Sequence, residues 1–186
     1  MANRIITDEA FLITALDLFR TYGFEGVSLK QLADATGLEK ASLYYRYPGG
    51  KDEIVLAVAT AVSQWLETNI AAPLAGPGTP RKRVACVVER LRELYCGGTK
   101  SCVIDVLSIP GGSPELKTGL KAAMQSWLNA YVEIAKECGL TPVQALHRAE
   151  EAMVRFEGSL VLARVLGDTS AFDRTLKLLP DLLTVA

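Results

Sequence analysis

The sequence predicts an all-α protein, and three observations carry that prediction. Apolar residues recur three and four apart through most of the chain, the period of an amphipathic helix. Three segments open on a hydroxyl residue followed by proline and close on glycine: Thr79-Pro80 to Gly97, Ser113-Pro114 to Gly139, and Thr141-Pro142 to Gly167. A hydroxyl cap, proline at the first helical position and glycine just past the last is the expected asymmetry of helix ends. No strand-like alternation and no internal repeat interrupts the pattern.

Taken in order, the first helix is predicted from Thr7-Asp8-Glu9, whose acids suit the positive end of a helix dipole. Its stripe of Phe11, Ala15, Leu18, Phe19 and Tyr22 reads as core, and Gly23 stops it. Asn3 and Arg4 precede it as either a short nucleic-acid-binding arm or a frayed end. Ser28 opens the second helix as half of a capping box with Gln31. Leu29, Leu32 and Ala33 share one face of it, and Gly37 supplies the left-handed stop. Leu38 packs the turn inward. In the third helix Leu43 and Tyr47 face the core, while Lys40 and Tyr44 share the opposite face. Pro48-Gly49-Gly50 ends it. Two short helices about a glycine turn, with Lys, Ser, Tyr and Arg facing outward, suit insertion into a DNA major groove. This headpiece takes residues 1–50, and residues 51–186 form a C-terminal domain.

A long helix is predicted from Lys51 to about Ala72. Ile54, Val55, Val58, Ala61, Val62, Trp65 and Leu66 cover so much of its circumference that it should contact both headpiece and C-terminal domain. Pro73 to Pro80 is a loop rich in glycine and proline. Ser101–Ile109 reads as a short helix between the first two proline-capped ones. Asp168 or Thr169 caps the last helix, which turns Phe172, Leu176, Leu179 and Leu183 inward and is kinked or ended early by Pro180. Between Thr141 and Leu166 the small residues Ala145, Ala149, Ala152, Gly158 and Ala163 lie among Leu146, Met153, Val161 and Val165. Small residues let helix axes approach closely, here within the chain or against a partner.

Composition narrows the function. The 186 residues allow one large or two small domains. Twenty basic residues stand against 21 acidic ones, and residues 1–51 hold six of each, so bulk charge does not announce nucleic-acid binding. A DNA binder with no excess charge should bind weakly alone and lean on dimerisation. No secretory signal and no apolar run of roughly 18–20 residues is visible, which places the chain in the cytoplasm. Cys86, Cys96, Cys102 and Cys138 form no C-x-x-C pair and read as mostly buried free thiols; Lys100 is the nearby group that would favour a redox role for Cys96 or Cys102.

Val27-Ser28-Leu29-Lys30-Gln31-Leu32-Ala33, Ala35-Thr36-Gly37-Leu38, Ser42-Leu43-Tyr44-Tyr45 and Pro48-Gly49-Gly50-Lys51 together resemble the N-terminal domain of TetR-family transcriptional regulators. The Pro-Gly-Gly-Lys turn is similar to that of a subgroup of small drug- and antibiotic-responsive repressors. The ordered match covers about the first quarter of the chain. By this resemblance Lys40 and Ser42 stand where family members touch DNA, and Tyr44 and Tyr45 supply aromatic contacts. Arg46 replaces a frequent histidine as a phosphate contact, Lys51 binds phosphate, and Ser28 adds a hydroxyl to one. The departures are Glu39 in place of the usual Ser or Thr cap and Tyr47 in place of Phe. The resemblance also implies a homodimer through the last two helices, a near-palindromic double-stranded operator, and a small hydrophobic effector. Trp65, Tyr95, Trp127, Tyr131 and Phe156 are the candidate effector pocket.

Enzyme signatures fail one by one. Gly49-Gly50-Lys51 runs into Asp52 where a phosphate loop needs Ser or Thr, and His147 is the single histidine, so no His-x-x-x-His zinc pair exists. Gly112-Ser113-Pro114 lacks the surroundings of a nucleophile elbow. No catalytic residue, metal or cofactor is expected. The second class in view is a helical module that binds a small molecule and no DNA.

Overall fold

The computed structural model describes residues 6–108 and 112–185, so the Asn3–Arg4 arm lies outside the described residues. They form ten α-helices and no strand. In order these are α1 (Asp8–Gly26), α2 (Leu29–Thr36), α3 (Lys40–Arg46), α4 (Lys51–Leu66), α5 (Ala72–Ala75), α6 (Pro80–Leu94), α7 (Val103–Ser108), α8 (Pro114–Glu137), α9 (Pro142–Leu166) and α10 (Ser170–Thr184). Two compact units result: Met1–Ser63 with Val103–Lys121, and Gln64–Cys102 with Ala122–Ala186. The first therefore reaches beyond residue 50 and takes in α7.

In the first unit the caps behave as the sequence predicts. Thr7 accepts from the Ala10 N–H, and Ser28 with Gln31 closes a reciprocal capping box. Gly37 takes the left-handed conformation that ends α2. α1 is interrupted rather than stopped: Gly23, at φ 69° and ψ 177°, breaks the helical path, and a further turn carries the chain to Gly26. Phe11, Ala15 and Phe19 are buried, but Tyr22 is exposed, because the break frees the end of the stripe from the core direction. α7 packs on α1.

The second unit holds the end of the long helix. α4 continues through a π-helical turn, Glu67–Ala71, into α5, so the rod runs past Pro73 to Ala75. The predicted loop shrinks to residues 76–79. Burial of Ile70 and Leu74 explains the extension, and Arg83 of α6 closes the end by donating to the Leu74 and Gly76 carbonyls. By length and hydropathy this rod could cross a membrane, yet Ile54, Val55, Val58, Leu66, Ile70 and Leu74 are buried in protein.

α10 packs along α9 and α6. Phe172, Leu176, Leu179 and Leu183 are buried as predicted, but Pro180 neither ends nor shortens the helix. Arg148 of α9 donates to the Leu182 and Val185 carbonyls and so holds the turn beyond the proline. Ala145, Ala149, Ala152, Met153 and Ala163 are buried inside this chain, so most of the small-residue stripe serves an internal seam. The thiols also differ from expectation: Cys86 and Cys96 are exposed, and only Cys102 is fully buried, accepting at Sγ from the Tyr95 hydroxyl at 3.5 Å.

Gly98 and Gly139 share nearly the same backbone (φ +94° and +95°), but a Cβ at Gly98 would lie 2.8 Å from the Phe172 ring, while the space around Gly139 is open. Gly98→Ala should therefore cost about 1–3 kcal/mol more than Gly139→Ala in urea unfolding, the difference reporting overpacking alone.

Candidate nucleic-acid interface

α3 has seven residues, too few to be stable alone, and Glu39 at its N-cap makes no side-chain cap hydrogen bond. Its place is set by what it buries. Leu43 is 1% exposed, and Tyr47 stacks on Phe11 of α1 with ring centroids 5.1 Å apart. Arg46 lies on the same side, donating from Nη2 to the Ile6 carbonyl at 3.1 Å and from Nη1 to Asp8 at 3.3 Å. Residues 43, 46 and 47 thus form an anchoring face at three-and-four spacing. The other side of the helix carries Lys40, Ala41, Tyr44 and Tyr45, all exposed, with Ser42 half-buried at the edge. Tyr45 is 88% exposed and Tyr44 53%.

The turn after α3 sets Tyr44. Gly50 is buried at φ +65°, and a Cβ there would meet Leu29 at 3.7 Å and the Tyr44 ring at 3.8 Å. Its N–H donates to the Tyr47 carbonyl, and Glu53 accepts from the Gly49 N–H at 2.7 Å, joining the turn to the start of α4. Lys51 turns back: its Nζ donates to the Phe24 carbonyl at 2.9 Å and stands 4.3 Å above the Phe24 ring. Ser28 spends its hydroxyl in the capping box. On α2, Lys30 pairs with Asp34 at 2.7 Å, and that bond holds the ammonium above its ordinary pKa.

The structure thus brings Lys40, Ser42, Tyr44 and Tyr45 onto one accessible surface. It draws Arg46 and Lys51 towards α1, which the sequence reading did not foresee. Asp8 and the Ile6 carbonyl lie 38 and 40 residues from Arg46, and no local pattern marks such a pair. Burial and the Asp8 charge push the Tyr47 hydroxyl above the usual phenol range.

In the second unit Tyr95, Trp127, Tyr131 and Phe156 are buried, and Trp65 is half-buried. Trp127 meets Tyr131 and Phe156 edge-on at 6.1 and 5.3 Å, and Tyr95 meets Phe156 at 5.2 Å. Burial drives the Tyr131 hydroxyl far above the phenol range. Neither that hydroxyl nor the Trp127 indole N–H makes an aligned hydrogen bond. A separate groove of about 660 Å³ is lined by none of these five residues; Glu67, Ala71, Ala75, Arg83, Ala130 and Glu137 are among its walls. The sequence gives no signal for it, since its Arg83–Glu137 pair joins residues 54 apart.

A two-helix unit with an anchored inner face and an exposed, tyrosine-bearing outer face is a helix-turn-helix headpiece. Residues 11–58 match the family described as bacterial regulatory proteins, tetR family. The chain is 26% identical over 184 residues to the HTH-type transcriptional regulator LmrA of Bacillus subtilis, covering 94% of this chain and 95% of that protein. It is 37% identical over 59 residues to the regulator RutR of Escherichia coli, covering 31% of this chain and 27% of that protein. Its fold is that of a TetR transcriptional regulator from Legionella pneumophila, at TM-score 0.84 and 17% identity over 96% of this chain and 98% of that one. It is also that of AibR solved with isovaleryl coenzyme A and operator DNA, at TM-score 0.69 and 17% identity over 95% and 97%. The chain belongs to the TetR family of transcriptional regulators and is not an enzyme.

The two faces of α3 should separate in stability measurements. Leu43→Ala is expected to cost about 2–5 kcal/mol in urea unfolding. Tyr45→Ala should stay within about 0.5 kcal/mol of wild type.

Proposed function

We propose that the chain is a cytoplasmic one-component repressor that binds a near-palindromic operator as a homodimer and is released by a small hydrophobic effector. The observation that carries this reading is the exposed face of α3, where Lys40, Tyr44 and Tyr45 stand clear of the protein on a helix whose opposite side is anchored. Ser42 and Ser28 flank that face, and Lys51 would reach phosphate by leaving the Phe24 carbonyl. Contacts of this kind mostly set register, and direct base reading falls to Lys40 with Ser42 or Tyr44.

Dimerisation is supported by the outward side of the last two helices. Val143, Val154, Val161 and Val165 of α9 are exposed, as are Leu178 of α10 and Val185 just after it. Scattered exposed apolar residues are ordinary, but a row along one helix is the mark of a partner surface. Two headpieces would then enter successive major grooves roughly 34–36 Å apart.

The effector is an apolar molecule with one hydrogen-bonding group. It would enter among Trp65, Tyr95, Trp127, Tyr131 and Phe156, where the Tyr131 hydroxyl and the Trp127 N–H offer the polar end. Coupling between the effector and operator sites is about 1–3 kcal/mol and reciprocal.

The test is fluorescence anisotropy with the DNA upstream of the chain's own gene. Wild type should bind with an affinity that falls with salt. Tyr45→Ala should weaken binding tenfold or more, and Lys40→Gln should lower the salt slope by about 0.9. Val165→Glu should yield a monomer in sedimentation and lose most of the DNA affinity. Absence of DNA binding, with effector binding retained, would leave the small-molecule module as the function.

A further inference from the structure

We infer that Arg46 is a positioning residue for operator recognition rather than a phosphate contact: it clamps the C-terminal end of α3 to the start of α1, with Asp8 as its partner. The inference rests on the operator-binding reading above but draws on a separate observation. The Arg46 side chain is 26% exposed and lies on the face shared by Leu43 and Tyr47, away from Tyr45. Its two terminal nitrogens are spent on different acceptors, the Ile6 carbonyl and the Asp8 carboxylate, so the planar fork bridges the chain entering α1 and the first turn of that helix. A lysine is a single point donor and cannot span both.

The clamp matters because α3 has little else to hold it. The helix is short, its N-cap is unsatisfied by Glu39, and Leu43 and the Tyr47–Phe11 stack are its other anchors on that side. Asp8 is 82% exposed, so the pair sits at the edge of the headpiece, where its effect is on the angle of α3 more than on the core. Loss of the clamp would let the last turn of α3 shift and carry Tyr44 and Tyr45 off register. Geometry errors of this size are costly when register is set by many small contacts.

Asp8→Asn separates the two roles by sign. If Arg46 gripped phosphate, Asp8 would compete for it, and neutralising Asp8 would free the guanidinium and tighten DNA binding. As a clamp, its loss weakens binding although a negative charge has gone. The experiment measures upstream-DNA affinity across a salt series for wild type, D8N, R46K, R46Q, D8N/R46Q and Y45A. It also follows hydrogen exchange of the α3 amides in the DNA-free protein.

The expected result is a three- to tenfold loss for D8N, R46K and R46Q, with an unchanged salt slope and a double variant no weaker than R46Q. The α3 amides of D8N and R46Q should exchange severalfold faster. Tighter or unchanged binding by D8N, a slope reduced by about 0.9 in R46Q, or unchanged α3 exchange would overturn the inference. If wild type bound no DNA, or Y45A bound as well as wild type, the operator reading would fail and the recognition role with it. The exchange rates would still decide whether the clamp exists.

Discussion

Burial of Leu43 and the stacking of Tyr47 on Phe11 hold α3 against the headpiece, and the neighbouring structure makes that burial possible. A fully buried leucine is worth about 1.5–3 kcal/mol, and an aromatic pair adds about 0.5–1.5 beyond its area. Those gains are of the size needed to order a seven-residue segment that would not be helical in water. The capping box at Ser28 and the left-handed Gly37 deliver the chain to the start of α3 at the right angle. Gly50 and Glu53 then lead it away into α4. With the inner side committed, the outer side is left to Lys40, Tyr44 and Tyr45. Function at the surface follows from packing beneath it.

The second unit spends its aromatic residues differently. Trp127, Tyr95 and Phe156 meet edge-on, the arrangement that ring quadrupoles favour, and Phe172 joins them at 5.7 Å from Phe156. The cluster is therefore core first, and any ligand that enters it must displace good contacts. The polar ends of Tyr131 and Trp127 are its least satisfied atoms. Burial of that kind is costly without a partner.

Much of this was legible in the residues because helix ends are local. Ser28 with Gln31, Thr141 with Gln144, and the glycines at 37 and 167 act within a few positions, and all four ends fall where those residues place them. Facing was legible wherever one strong apolar stripe dominates, as in Phe172, Leu176, Leu179 and Leu183. What escaped was whatever depends on a distant neighbour. Arg46 finds Asp8, Lys51 finds the Phe24 carbonyl, and Arg148 secures the turn beyond Pro180, each across more than 25 residues. The alanines of α9 were ambiguous for the same reason. A small residue says that something comes close, not which helix does.

The π-helical turn at Glu67–Ala71 has a consequence for how this rod can change in length. Along an ordinary helix each step of four overshoots a full turn by about 40°, so a row placed at 62, 66, 70 and 74 would wind steadily round the surface. The wider turn absorbs one surplus residue, which is why Leu66, Ile70 and Leu74 all stay buried. Removing one amino acid inside that bulge would return it to plain α geometry and leave the far end in phase. The same deletion elsewhere in the rod would rotate all that follows by about 100°, swinging Leu74 towards water and carrying the carbonyl grasped by Arg83 out of reach.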